Sequence, residues 1–296
     1  KDSLASASIA AGGTLGILIP PSVMLVIYGI ITETSIRELF AAGFIPGILG
    51  VFLYLGAVKW VLWRDPSAGP AAERVSWAER IDALKSVGST LALFVLVIGG
   101  IYLGVFTPTE AAGIGAMGAF LIALVRRALT PQVLMNVLMD TVRTTAMLFA
   151  VVLTALIFAN FVNRAGLPDD LLNLVSGMNV APFVVILAII AIYVVLGCVF
   201  ESMSMLLLTV PVFFPVVAGL GYDLVWFGIL VVIVIEISLI TPPVGMNVFV
   251  LRAVLPDVAT GTIFRGVTPF WVAGTLRALL VLIFPGIVLF LPQLLY

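Results

Sequence analysis

Histidine is absent from the 296 residues, and cysteine occurs once, as Cys198. Without histidine there is no imidazole metal ligand and no histidine general base. A single thiol allows neither an internal disulfide nor a cysteine metal cluster. Charge is scarce: 10% of residues are charged, against roughly 25% in soluble globular domains. The two signs nearly cancel to a net −1, so the composition offers no basic surface for nucleic acid or anionic lipid. No GxxxxGK[ST] loop, no GxGD and no Ser-His dyad can be assembled, so the chain is not expected to be an enzyme or to hydrolyse ATP.

What is present is hydrocarbon. Apolar residues make up 62% of the chain and the mean hydropathy is +1.29. An integral, all-α polytopic membrane protein in the lipid bilayer follows, with room for about eight crossing or re-entrant pieces at ~20–35 residues each.

Within this apolar background stand two Pro-Pro pairs, Pro20-Pro21 and Pro242-Pro243. Proline lacks an N–H and clashes with the carbonyl one turn back, so a helix must open there. In a bilayer an opened helix is tolerated only where it is buried in protein or lines a cavity. Two such helices in corresponding places of two halves mark the binding region of a secondary transporter. The halves match: at an offset of 242 − 20 = 222, Pro20, Pro21, Met24 and Val26 fall on Pro242, Pro243, Met246 and Val248. Beyond them Leu39-Phe40 and Ile263-Phe264 are each followed by a glycine and a proline, at an offset of 223 or 224. The counterpart of residues 182–222 would fall before Lys1, so the repeat predicts membrane sequence upstream.

The spacing predicts one broken helix over 3–30, a long apolar helix over 37–63 and a polar stretch over 64–86. From Val75 that stretch reads as an amphipathic helix on the membrane surface. Spans follow at 87–105, 110–125 and 131–162, then a turn at 163–170. Residues 182–219, with a polar centre and Pro211 and Pro215 in the second arm, read as a re-entrant helical hairpin. A second broken helix over 223–255 and a last span over 267–292 complete the pattern. The segments group as 1–36, 37–104 with the arm 64–86, 105–255 with the hairpin and second broken helix, and 256–296.

Basic residues concentrate at 64–85 and at 126–127, separated by two crossings. Placing both clusters in the cytoplasm puts 163–170 outside, Arg252 to Arg265 inside and the C-terminus, Tyr296, outside. The two broken helices then run in opposite directions, with their half-ends near the midplane.

At each break, carbonyls that lose an amide partner are oxygen ligands for a small hard cation. One cation is expected at Gly16, Ile19 and Pro20, and a second at Ser238, Thr241 and Val244. The competing reading is a bent helix capped by water or by Ser22 and Thr241. Glu201 stands alone between two long uncharged runs; it could line the substrate path, balance a cation or hold the hairpin tip. Ser202 and Ser204 are candidate donors to an anionic substrate, with hydrogen bonding to the i−4 carbonyl as the alternative. Thr14, Ser22 and Asn247 complete the candidate path. Glu236 could bear on the second cation or face a polar interior. Arg143 and Arg277 interrupt helices and are read as snorkelling or pairing with another helix or subunit. Tyr28, Trp60, Trp63 and Trp226 are read as interfacial anchors.

Three motifs in order carry a resemblance. They are the run from Gly12-Gly13-Thr14 to Pro20-Pro21-Ser22, then Thr107-Pro108-Thr109-Glu110-Ala111-Ala112, then Trp226-Phe227-Gly228 leading into Thr241-Pro242-Pro243-Val244-Gly245-Met246-Asn247. Together they resemble the large membrane subunit of tripartite ATP-independent periplasmic (TRAP) transporters, over essentially the whole chain. The resemblance implies an inverted-repeat elevator-type transporter of the bacterial inner membrane, importing organic anions such as C4-dicarboxylates or sialic acid with sodium as coupling ion and no other cofactor. It implies that the 1–36 segment, the hairpin and the 223–255 helix form a transport domain, and 37–104 and 256–296 a scaffold. It implies a small four-helix membrane subunit and a periplasmic substrate-binding protein as partners. It adds Gly197 to the second sodium site, and serines of an upstream hairpin to the first. Family members often carry aspartate at the position of Glu201 and glycine at that of Ser238. A sodium symporter for divalent anions working without a binding protein, or a passive channel subunit, are the competing functions. A membrane scaffold that transports nothing is a third.

Overall fold

The structure is a computed structural model describing residues 1–69, 75–177 and 180–296. All regular elements among them are helical: α1 (Asp2–Leu18), α2 (Val23–Thr32), α3 (Ile36–Arg64), a 3-10 turn (Pro66–Ala68), α4 (Trp77–Tyr102), α5 (Pro108–Val125), α6 (Pro131–Arg164), α7 (Leu167–Gly177), α8 (Pro182–Gly197), α9 (Ser202–Gly219), α10 (Leu224–Ser238), α11 (Met246–Val254), α12 (Thr260–Ile283) and α13 (Gly286–Leu295). Among the described residues, 7 segments are long and apolar enough to cross a membrane, with α1–α2 counted as one; α8, α10 and α13 are shorter apolar helices.

The chain divides into two compact units, Lys1–Pro70 with Ala155–Tyr296, and Ala71–Thr154. In the larger unit α10 is the centre. Every residue from Val225 to Ser238 is buried, against α8, α12, α1 and α3 among others. A helix apolar on all sides has no face to offer water and takes the middle of the bundle. Its aromatics hydrogen-bond to neighbours: the Trp226 indole donates to the Val281 carbonyl at 2.9 Å, and the Tyr28 hydroxyl of α2 donates to the Leu224 carbonyl at 2.7 Å. Both rings are fully buried, which corrects their reading as interfacial anchors. Trp60 and Trp63 are exposed on α3.

Three packed pairs in this unit show the hand of the repeat. Along α1 and α3, Leu15 meets Gly50 while Leu18 meets Gly43. Along α3 and α12, Gly50 meets Arg277 while Trp60 and Arg265 line the other end of the same groove. Along α10 and α12, Trp226 meets Val281 while Ile237 meets Gly274. Each pair is therefore antiparallel, so α1 opposes α10 and α3 opposes α12. The repeat is inverted within one packed body, and α3 and α12, which the resemblance assigned to the scaffold segments, pack along α1 and α10 here.

Small residues make the close approaches possible. A methyl group on Gly43 would lie 3.0 Å from the Leu18 carbonyl oxygen, and one on Gly47 would lie 2.8 Å from the Ile19 side chain. The contacts repeat in the second half. Gly274 of α12 faces Ile237, the counterpart of Leu15, as Gly50 of α3 faces Leu15.

The smaller unit holds α4, α5 and the start of α6. Leu93 of α4 fills the space left by Gly118 of α5, and Arg126 donates to the Ser86 carbonyl and the Ser89 hydroxyl, both at 2.9 Å. The Thr107-Pro108-Thr109-Glu110 motif is a helix start: Thr107 and Glu110 form a capping box, with Pro108 in the first turn.

Three segment readings change. The amphipathic arm does not end at 86: α4 runs unbroken from Trp77 into the span, because Gly88 alone lowers helix propensity by only about 1 kcal/mol and no proline intervenes. Residues 70–74 of that arm lie outside the described residues. The turn expected over 163–170 narrows to Ala165-Gly166, where Gly166 adopts φ +76, and α7 begins at once. The last span starts at Thr260 and stops before Phe284-Pro285, because proline cannot extend the helix; α13 follows as a separate piece.

Candidate functional site

Both Pro-Pro pairs interrupt helices where the sequence placed them. The first break, residues 19–22, parts α1 from α2; the second, 239–245, parts α10 from α11. Each prolyl pair contains a cis peptide bond.

In the first break Ile19 turns extended (φ −68, ψ 124) after its N–H closes the last turn on Leu15. Pro20 and Pro21 have no N–H to give the Gly16 and Ile17 carbonyls. The Ser22 hydroxyl takes up the Ile17 carbonyl and, as N-cap of α2, accepts the Leu25 N–H at 3.3 Å. Thr14 is buried and donates to the Ala11 carbonyl at 2.8 Å. Gly12, Gly13 and Gly16 face open space, so this side of α1 carries no packed neighbour among the described residues.

The second break is more polar and better covered. Ser238 donates to the Ile235 carbonyl and Thr241 to the Ile237 carbonyl, each at 2.7 Å. The Ser238 carbonyl accepts the Thr241 N–H at 3.1 Å, and the Leu239 carbonyl accepts that of Asn247 at 3.1 Å. Gly245 begins α11 in the left-handed region (φ 55, ψ 78), with the Thr241 carbonyl oxygen 3.2 Å from where a Cβ would stand. Trp271 of α12 donates its indole N–H to the Thr241 hydroxyl at 2.9 Å. The Asn247 amide reaches the Ala10 carbonyl of α1 at 3.3 Å, which ties the second break to the first half.

Gly197, at the end of α8, lies against Ser238 so closely that a Cβ would overlap the serine's Cβ and hydroxyl. Three of the residues named for the second cation, Gly197, Ser238 and Thr241, are thus set by contact or hydrogen bond at one break, and Val244 lies exposed in the same loop. Gly16, Ile19 and Pro20 stand together at the other break by chain adjacency. The sequence named both hydroxyl caps, Ser22 and Thr241, as the alternative to free carbonyls, and both caps form.

Glu201 caps α9. Its carboxylate accepts the Met203 and Ser204 N–H groups at 2.9 and 3.0 Å, with the Ser204 hydroxyl at 3.4 Å. Of the readings open for it, the structure shows it holding the tip of the α8–α9 pair. Ser202 follows as the first residue of α9. The Ser204 hydroxyl donates back to the Glu201 carboxylate, three residues earlier, and not to an i−4 carbonyl.

What the sequence left unresolved is the partnership of Glu236 with Arg277. Both are fully buried, on α10 and α12, and form an ion pair. Each was singled out, but 41 residues separate them, and no local spacing joins them.

Discontinuous helices in opposed copies, packed in one apolar body, define a polytopic membrane protein with the architecture of a transporter. The chain belongs to the DctM family: the family model described as the tripartite ATP-independent periplasmic transporter, DctM component, matches residues 1–287. It is 35% identical over 286 residues to a C4-dicarboxylate TRAP transporter large permease protein of Pseudomonas aeruginosa, covering 96% of this chain and 66% of that one. To a sialic acid TRAP transporter large permease protein of Vibrio cholerae it is 37% identical, covering 99% of this chain and 68% of the relative. An ectoine TRAP transporter large permease protein of Halomonas elongata is 34% identical, with 99% and 68% covered. The chain spans about two thirds of the length of these relatives.

Proposed function

We propose that this chain forms part of the large permease of a sodium-coupled importer for carboxylate-bearing organic solutes in a bacterial inner membrane, with Tyr296 on the periplasmic side. The observation that carries the reading is the pair of prolyl breaks, brought into one packed unit in opposite orientations. Helix ends at such breaks present carbonyl and hydroxyl oxygens suited to a small hard cation, without any need for carboxylate or imidazole ligands. The relatives' names extend the solute range from C4-dicarboxylates and sialic acid to ectoine, so a carboxylate is the common recognition element. A periplasmic binding protein delivers the solute, and a small four-helix permease subunit stands beside this one. The α8–α9 pair is the re-entrant hairpin, and residues 1–36, this hairpin and 223–255 are the body that moves in an elevator cycle against a scaffold of 37–104 and 256–296.

The test is uptake into liposomes by the full permease complex with its binding protein, under an inward sodium gradient. Uptake that rises with the gradient and stops without the binding protein is expected. Flux indifferent to sodium identifies a passive pore; sodium-driven flux without the binding protein identifies an autonomous symporter.

A further inference from the structure

The Glu236–Arg277 pair lies in the middle of the larger unit and belongs to neither candidate cation site. Arg277 packs on Gly50 of α3, beside Leu15 of α1, and the backbone of Leu18, the last residue before the first break, lies against the Glu236 carboxylate. Glu236 itself sits two residues before Ser238, at the edge of the second break. The pair thus touches residues that adjoin both breaks. The Tyr54 hydroxyl of α3 stands close to both charges. Glu236 Oε1, Arg277 Nε, Arg277 Nη1 and the Tyr54 hydroxyl have no protein hydrogen-bond partner among the described residues. A pair held for helix docking alone would be expected to satisfy these atoms; an apolar pair of the same volume often docks helices as well or better.

We propose that Glu236 is a positioning residue for the coupling ion: its carboxylate cancels the Arg277 charge that would otherwise repel a cation from both breaks. This rests on the sodium reading above. The two partners are not equivalent. Arginine keeps its charge at every accessible pH, whereas a glutamate left alone in an apolar interior can take up a proton and become neutral. Removing Glu236 therefore leaves a fixed buried positive charge. Removing Arg277 leaves either a negative charge or none.

Glu236 precedes Thr241 by five residues, at most about 7.5 Å of helix rise, and the Arg277 guanidinium stands one ion pair further off, which puts the uncompensated charge on the order of 10 Å from the ion. With an effective dielectric of about 20, one uncompensated charge at that range changes ion affinity about 15-fold. The experiment is the sodium concentration for half-maximal uptake in proteoliposomes containing the full permease complex, measured for Glu236→Gln, Arg277→Met, the double variant and Glu236→Asp. Glu236→Gln should raise that concentration about 15-fold. Arg277→Met should leave it unchanged or lower it. The double variant should return to within about 3-fold of wild type, and Glu236→Asp should stay there.

Both single variants raising it alike, with no recovery in the double, would overturn the proposal and reduce the pair to helix docking. Should Glu236→Gln not fold, the uncharged double variant decides: a rise beyond about 5-fold refutes the proposal. Wild-type uptake that ignores sodium removes the sodium reading itself, a separate failure.

Discussion

Gly197 and Ser238 offer the sharpest measurement of how tightly the second break is held. Gly197→Ala places a methyl group onto both the Cβ and the hydroxyl of Ser238. Rotating the serine moves only its hydroxyl, so α8 must shift away from α10. Overpacking of this kind costs about 1–3 kcal/mol, against a gain of up to about 1 kcal/mol from alanine's better helix propensity. The expected net loss is about 1–2 kcal/mol. Ser238→Gly alone should cost about 0.5 kcal/mol from its helical position. Combined, the clash is gone and the two propensity changes offset, so the double variant should lie within about 0.5 kcal/mol of wild type. The coupling energy is then about 2 kcal/mol, well above the additivity error of ~0.5 kcal/mol for independent sites.

The assay is thermal unfolding in detergent. At roughly 2–4 °C per kcal/mol, Gly197→Ala should lower the midpoint by about 3–6 °C, and adding Ser238→Gly should restore it. Ser238→Ala is the control, since it keeps the offending Cβ and should rescue little. Losses that simply add in the double variant, or equal rescue by alanine and glycine at 238, would refute the contact on which the second site is built.

Replacing Pro242 and Pro243 with alanine should let α10 run on toward α11 and raise the sodium concentration for half-maximal uptake; unchanged sodium dependence would remove this segment from ion binding. Trp271→Phe deletes the indole bond to Thr241, worth about 1 kcal/mol, and a melting shift under 1 °C would show that this bond does not hold the break. Glu201→Ala should cost about 1 kcal/mol through loss of the α9 cap, while Glu201→Asp should keep both stability and uptake. Lost uptake with an unchanged melting point in Glu201→Asp would place the carboxylate on the solute path instead.

The legible parts of this chain are those whose cause is local. Proline without an N–H opens a helix wherever it stands, so both breaks could be placed to within a residue or two. The offset of 222 matched the two breaks and the helix starts on either side of them, Asp2 with Leu224 and Val23 close to Met246, but not the ends of the long helices, where α3 and α12 differ in length. The boundary after residue 86 misled: the change from polar to apolar composition reads as the end of the arm, yet nothing there stops α4, since the one glycine, Gly88, is too weak a breaker. Tyr28 and Trp226 misled for another reason. Amphipathic rings fit an interface by composition, and only the presence of the Leu224 and Val281 carbonyls inside the bundle makes a buried position equally satisfying. The pairing of Glu236 with Arg277 was invisible because it depends on how α10 crosses α12.

The repeat is a repeat of backbone, and its two copies differ in the side chains that meet the breaks. Ile19 packs on Gly47 of α3, whereas its counterpart Thr241 accepts a hydrogen bond from Trp271 of α12. Gly16 faces open space, whereas its counterpart Ser238 is pressed by Gly197. Backbone carbonyls give both breaks the same kind of oxygen, but the second adds a hydroxyl fixed from two sides and a neighbouring helix end. An ion at the second break would therefore meet ligands already oriented by protein, while one at the first would have to order more of its own surroundings. Pre-organised ligands lose less conformational freedom on binding, so if both breaks hold sodium, the second should hold it more tightly. A pair of binding curves in which Pro20/Pro21 substitutions remove the tighter phase, and Pro242/Pro243 substitutions the weaker one, would reverse that order and show that side-chain pre-organisation does not govern these sites.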